Sequence, residues 1–507
     1  MGVATCFLPS AGPLCSFAPL LLAGALQANF SLPQILSDGM VLQQGKPVSI
    51  WGKGEEGAEI KAWLNGQDGK TTVQNGEWSI TFDPYQAGGP FELTIQSGEK
   101  TQIIKDILIG EVWIAGGRSD MQWSSSGSID RKQELPLKDN GRIRVFKQTR
   151  HSTATPPFDT LPAKWMSSTS DNPKHWNAVA HWFAADLQRR LRVPVGLLIN
   201  CDDGTRAQHW TSLKTFQEAK GFDSSLQGAL LAKRTFEYRR IRYEQELAAF
   251  MNKRKRGEET GPPPPYYGRV PSGYYNAMIH PIRKFSTRGV IWYQGEENAL
   301  TTRNALEYRT FFPLMIGSWR KAFGDPNLPF LFVQLPRMSE SNPRDLPTLR
   351  ESQLHTNQTV AHTGMVVSVD LGKELGQHSQ LKKLIGLRLA KLARGLVYGE
   401  KIPIIGPLVM GITSYLGDGN LGKAVFVALG TGIGELLGTA IPIPVVGTLL
   451  GGILGSFIGD LLYDIIVKKD PGAALKKVQD AAKKIFETGK AVFDWLKGSF
   501  GRFLESI

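Results

Sequence analysis

Cysteine and histidine are scarce in this chain of 507 residues, which has three of the first and eight of the second. No two cysteines form a C-x-x-C pair and no two histidines an H-x-x-x-H pair, so the spacings that build zinc sites are missing and no metal is expected. A Walker loop and a post-strand G-x-G-x-x-G are absent too. Nucleotide cofactors are therefore not implied, and no other cofactor is expected. The formal net charge of +13 would draw the chain toward acidic surfaces. Without a zinc finger, an RNP signature or a basic-leucine pattern, however, nucleic acid is not an expected partner.

Lys and Arg are also missing from residues 1–28. Its amino terminus runs through an apolar stretch from Phe17 to Leu26 to the small-residue ending Ala25-Leu26-Gln27-Ala28. That pattern predicts a secretory signal peptide over residues 1–28 and a secreted or periplasmic location. Cleavage would remove Cys6 and Cys15. Cys201 would remain alone, so an intramolecular disulfide is excluded and the fold must rest on its cores.

Over residues 29–107, short alternating segments (VSIWG, EIKAWL, EWSITF, FELTI) are separated by turn residues such as Asn75-Gly76 and Gly88-Gly89-Pro90. This spacing predicts a small antiparallel β-sandwich with an accessory role. Over 108–401 apolar strand-like runs alternate with helical stretches: EVWIAGG, AVAHWFAADLQRRL, PVGLLIN, GVIWYQG, LPFLFVQL, GMVVSVDLG and LIGLRLAKLARGLVYG. Such alternation predicts an α/β domain, a parallel sheet with helices on both faces. Residues 213–268 interrupt it with a basic helical stretch and Pro262 to Pro265, which predicts an inserted helical hairpin closed by a stiff polyproline spacer, with the KRKR run a solvated face.

Residues 402–507 change character again. Leu436 to Gly459 carries no charge and is long enough to span a bilayer core, with glycines at 447, 451, 455 and 459 on one helix face. Pro442 and Pro444 would break a single straight helix there. Beyond it, Leu475, Val478, Ala482, Ile485, Val492, Leu496, Phe500 and Phe503 share a face opposite paired lysines. This region is expected to be helical and either to contact a membrane or to bury its apolar faces against each other.

The chemistry centres on residues 110–123, GEVWIAGGRSDMQW. Val112 to Ala115 form a short apolar run ahead of paired glycines, which fits a buried parallel strand. The strand would deliver Ser119 to a loop at its carboxyl end, where open α/β sheets bind ligands. A serine there can attack a carbonyl, with freed backbone N–H groups holding the oxyanion. Most serines in such a segment instead cap the helix that follows.

Several ordered stretches resemble the sialate O-acetylesterase family, a branch of the SGNH (GDSL-like) hydrolases, over residues 32–400. They are SDGMVLQQGKPVSIWG, GEWSITF, AGGPFEL, GEVWIAGGRSDMQW, VPVGLLINCDDGTRAQHWTS, YYNAMIHPIRKFSTRGVIWYQGEENA and SVDLGKELGQHSQLKKLIGLRL. The resemblance implies an SGNH-hydrolase-like doubly wound parallel sheet. It also implies hydrolysis of acetyl esters on a sugar or glycan, without metal or organic cofactor. By the same resemblance Ser119 is the nucleophile and His378 its general base. Gly204 is the second oxyanion position, and Gln294 and Glu296 are polar residues lining the pocket.

Departures from the family pattern cluster at the nucleophile. Arg118 stands where the family has glutamine, Asp120 where it has asparagine, and Cys201-Asp202-Asp203 where it has Ser-Trp-Gly. Gly376 stands where many relatives carry the acid that orients the histidine, which leaves Glu374 or Asp370 as substitutes. Two outcomes follow. If Arg118 pairs with Asp120 or Asp203, charge is compensated and esterase activity is kept. Uncompensated carboxylates beside the oxyanion would instead leave a catalytically impaired glycan-binding protein, tethered through 402–507.

Overall fold

The computed structural model describes residues 30–124, 141–167, 176–256, 258, 269–337, 344–371 and 381–400. His378, Glu374, Gly376, the expected signal peptide, Pro262 to Pro265 and all of 402–507 lie outside them. The chain divides into two compact units, Met1–Ala393 and Arg394–Ile507. In the second, the described residues are 394–400, where Arg394 Nε lies 3.0 Å from Glu400 Oε2.

Thirteen strands are present among the described residues of the first unit. They are β1 (Val41–Gln43), β2 (Val48–Lys53), β3 (Glu59–Leu64), β4 (Gln67–Thr72), β5 (Glu77–Phe82), β6 (Gly88–Ser97), β7 (Lys100–Gly117), β8 (Ile143–Lys147), β9 (Trp165–Ser167), β10 (Val195–Cys201), β11 (Gly289–Tyr293), β12 (Phe330–Val333) and β13 (Thr363–Val366). The helices are α1 (Ser119–Gln122), α2 (Ala178–Leu191), α3 (Leu213–Glu218), α4 (Asp223–Lys255), α5 (Thr302–Ala322), α6 (Leu346–Thr359) and α7 (Lys382–Leu396).

The protein is mixed α/β around a central, mostly parallel sheet of order β13-β12-β11-β7-β10-β8-β9, with β9 antiparallel at the edge. Strand β7 holds the fold together because its sequence changes period midway. Residues 100–105 alternate between exposed positions (Thr101, Ile103, Lys105) and half-buried or buried ones (Lys100, Gln102, Ile104) and pair antiparallel with β6, while 107–117 are buried without a break. A run buried on both faces suits a central parallel strand. There Trp113 to Gly117 lie between Leu197 to Cys201 of β10 and Gly289 to Tyr293 of β11. The division expected near residue 107 thus falls inside one continuous strand.

In the amino-terminal part, β3 pairs with β4 and β6, while β2 and β5 form a separate two-stranded sheet. The alternation of EWSITF is realised in β5: Trp78, Ile80 and Phe82 are buried and their neighbours exposed. The expected turn at 88–90 is instead the irregular start of β6, where the register against β7 shifts twice.

Helix α4 is one 33-residue element with only Ser225, Ala229 and Ala232 buried. Its exposed sides carry i,i+4 ion pairs, Arg240 to Glu244 and Arg242 to Glu246. Among the described residues no helix is long and apolar enough to cross a membrane.

Candidate active site

The sheet reverses its winding at β7. The chain leaves β7 for β8, returns to β10 on one flank, and then crosses to β11 on the other. The carboxyl ends of β7, β10 and β11 therefore frame a crevice of the kind that binds ligands in open α/β sheets. Residues 117–122, 201–206 and 294–298 meet there.

Gly117 lets β7 end where it does. Its φ is +140°, and a Cβ would lie 2.1 Å from the Tyr293 carbonyl oxygen, so only glycine permits this approach. The Arg118 N–H donates to that same oxygen at 3.0 Å. The chain then turns into the single turn α1, which begins at Ser119. The helix cap is Arg118, with no side-chain cap bond, so Ser119 does not take the capping role. Its Oγ is buried and makes no hydrogen bond among the described residues.

Charge beside the serine is arranged in two clusters. Arg118, nearly buried, reaches Asp203 at 2.8 Å, Glu297 at 3.2 Å and Glu296 at 3.6 Å, and Arg344 also reaches Glu297 at 3.3 Å. Burial works against the Arg118 charge, but Glu296, Asp203 and Glu297 outweigh it and raise its pKa. Asp203 shows the converse. Burial would lift its carboxyl, yet Arg118, the Gly204 N–H and Arg269 hold it below the usual value. Asp120 does not pair with Arg118. It is fully buried and bonded to the equally buried Lys382 at the start of α7.

Gly204 has φ +67°, and the Arg269 guanidinium lies over its α-carbon, where a Cβ would come within 2.5 Å of it. Its N–H donates to Asp203 Oδ1 at 2.8 Å. The Asp203 N–H in turn reaches Gln122 Oε1 at 3.1 Å, which ties this loop to the turn that carries Ser119. Asp202 accepts from the Tyr274 hydroxyl at 2.5 Å and pairs with Arg150 at 3.2 Å.

Gln294 is completely buried and faces inward. It donates to Thr205 O at 3.1 Å and Asn298 Oδ1 at 2.9 Å, and accepts from the Tyr308 hydroxyl at 3.0 Å. Asn298 Oδ1 also accepts from the Ala207 N–H. The two amides thus pin the 205–207 loop to the end of β11. Glu296 is 1% exposed. Asp370 holds Arg388 through both carboxylate oxygens, at 2.7 and 2.5 Å. Among the described residues, no group of three or more His, Cys, Asp or Glu could hold a metal ion.

Sequence reasoning passed over Lys382, Asn298, Tyr274 and Arg269. A signal existed for Lys382. It continues the stripe Ile385, Leu389 and Ala393, all fully buried, so a lysine stood on the apolar face of an amphipathic helix. Arg269 and Tyr274 carried no such pattern.

A mostly parallel α/β sheet with a serine and a polar cluster at its switch point is the frame on which many hydrolases are built. Comparison with known proteins narrows this. Residues 266–394 match the model of the family described as carbohydrate esterase, sialic acid-specific acetylesterase. The chain is 29% identical to the sialate O-acetylesterase of Mus musculus over 464 residues, which covers 81% of this chain and 82% of that protein. It is 28% identical to that of Homo sapiens over 434 residues, 77% of this chain and 76% of that one. Among solved structures, a carbohydrate acetylesterase from Xanthomonas citri superposes with a TM-score of 0.62 at 29% identity, over 74% of this chain and 77% of that one. The resemblance to sialate O-acetylesterases read from the sequence is borne out.

Proposed function

We propose that the protein is a carbohydrate O-acetylesterase that hydrolyses acetyl esters on a sialic acid or a related sugar, through Ser119 and His378 on an SGNH-like fold. The observation that carries this reading is Ser119 itself. Its hydroxyl sits at the end of the central strand, engaged in no hydrogen bond among the described residues, in a chain related to esterases along most of its length.

In this mechanism Ser119 Oγ attacks the acetyl carbonyl carbon while His378 accepts the hydroxyl proton. The Ser119 and Gly204 N–H groups hold the oxyanion. The bond to the sugar oxygen then breaks, and His378 returns the proton to that oxygen. Water attacks the acetyl-serine by the same route, releasing acetate and restoring the hydroxyl. Gln294 acts by positioning the loop that carries Gly204, and Glu296 by balancing Arg118. With Asp370 engaged by Arg388, Glu374 is the acid we assign to His378.

One observation favours a second reading, a glycan-binding protein with little turnover: the Gly204 N–H already donates to Asp203. Hydrolysis of p-nitrophenyl acetate and of O-acetylated sialic acid separates the two. The esterase reading expects Ser119→Ala and His378→Ala to lose at least a thousandfold in kcat. Equal rates in wild type and both variants would overturn it.

Secretion directed by residues 1–28, an N-terminal β-sandwich over 29–107 and membrane contact through a helical 402–507 belong to the same proposal. Flotation of the full chain with anionic liposomes, compared with a chain ending at residue 401, tests the last of these.

A further inference from the structure

Asp120 follows the nucleophile directly, and Lys382 opens α7. Both side chains are fully buried, and they form an ion pair. The lysine ammonium also lies over two rings, 5.5 Å from the centre of Trp123 and 5.7 Å from that of Tyr293. Trp123 closes the α1 turn by donating its N–H to Ser119 O. Tyr293 ends β11, the strand whose carbonyl receives Arg118 N–H. One ammonium group thus touches the residue after the serine, the residue that ends its turn, and the strand beside it.

This contact is not needed to attach α7 to the fold. Arg388, two turns along the helix, is already bonded to Val367 O and to both oxygens of Asp370. Nor can Lys382 reach a substrate, because none of it is exposed. What the pair adds is a fixed position for the α1 turn. That turn is four residues long, with no side-chain cap, and too short to hold itself.

We propose that Lys382 is a positioning residue for the nucleophile: through Asp120 it holds Ser119 at the crevice. The proposal rests on the reading of Ser119 as the nucleophile. It carries a specific expectation about charge. A buried pair broken on one side leaves an uncompensated ion, whereas removing both charges together does not. A double-variant cycle therefore separates positioning from mere packing.

The test compares wild type, Lys382→Met, Asp120→Asn and the double variant by p-nitrophenyl acetate turnover and by amide hydrogen exchange at residues 118–123. Lys382→Met is expected to lower kcat about a hundredfold with KM within about threefold, and to speed exchange at 118–123 more than elsewhere. The charge-free double variant is expected to recover kcat to within about tenfold of wild type and to restore slow exchange. A folded Lys382→Met with wild-type kcat and wild-type exchange would overturn the proposal, as would a double variant no better than the single one. If wild type itself does not turn over ester, the esterase reading falls, and the exchange arm still decides whether Lys382 anchors the turn.

Discussion

His209 gives the sharpest test of how the loop beside Gly204 is held. Its Nδ1 accepts the Arg206 N–H at 3.1 Å, an arrangement open only to the neutral ring. Burial first, then the charges of Arg206 and Arg269, push its pKa from 6.5 down to about 3. The unfolded chain binds a proton near 6.5 and the folded one does not until far lower pH. The unfolded state therefore holds more protons across that window, and stability is fully present above 6.5 and is lost as pH falls toward 3. Between pH 7.5 and 5.0 the unfolded state gains about 1.5 units' worth of protonation that the folded ring forgoes. At 1.36 kcal/mol per unit this removes about 2 kcal/mol.

The perturbation is His209→Asn, whose amide oxygen can take the place of Nδ1 as acceptor but does not titrate. Urea unfolding of both proteins at pH 7.5 and 5.0 provides the readout. Wild type is expected to lose about 2 kcal/mol more than the variant over that interval. His181, buried between Trp176 and Trp182 and pushed down to about 4 by burial, contributes in the same direction to both proteins and cancels in the comparison. Parallel losses in wild type and variant would refute the assignment of a neutral, acceptor His209.

Three further outcomes follow from the same geometry. Gly117→Ala places a Cβ 2.1 Å from a backbone oxygen and is expected to prevent folding or cost at least about 4 kcal/mol, while Gly57→Ala, with φ +79° and open space, costs about 1 kcal/mol; thermal melts of the two check the contrast. Gln294→Leu strips Thr205 O and the Tyr308 hydroxyl of a buried partner and is expected to cost about 2–3 kcal/mol in urea unfolding, with a fall in ester turnover as the Gly204 loop loosens. Burial pushes the Cys201 thiol up to about 12, so iodoacetamide at pH 8 should label it at least a hundredfold more slowly in the folded protein than in urea, read by mass spectrometry of its peptide.

How much of this was legible depends on which physics wrote it. Periodicity exposed the strands and helices whose burial is one-sided or total: AVAHWFAADLQRRL became α2 over Ala178–Leu191, and PVGLLIN, apart from its proline, lies in β10. The strand that joins the two regions was not legible as one element. Its two halves obey different rules, alternation at 100–105 and continuous burial from 107, and a change of period reads as a boundary. The resemblance singled out Ser119 and Gly204 as candidates. It could not reveal that the Gly204 N–H meets Asp203, because that bond depends on a carboxylate particular to this chain. Asn298 was missed for a similar reason. A hub of amide hydrogen bonds leaves no trace in hydropathy.

The departures around Ser119 make physical sense only in pairs. Taken singly, an arginine at 118 and an aspartate at 120 put two ions into the driest part of the crevice, each at a desolvation cost of several kcal/mol. Each ion has an opposite charge at hand, and the partners come from different elements. Arg118 finds Asp203 after β10 and Glu296 and Glu297 after β11, while Asp120 finds Lys382 on α7. Of the two partners open to Arg118 on sequence grounds, Asp203 is the one it takes, while Asp120 pairs with Lys382. The carboxylates that looked hazardous beside an oxyanion are thus drawn toward cations before any substrate arrives, and Asp203 is held ionised by them. A charge that is already matched adds little field to its surroundings. On this account the crevice keeps the electrostatic character that ester hydrolysis requires, although both residues flanking its serine carry a charge.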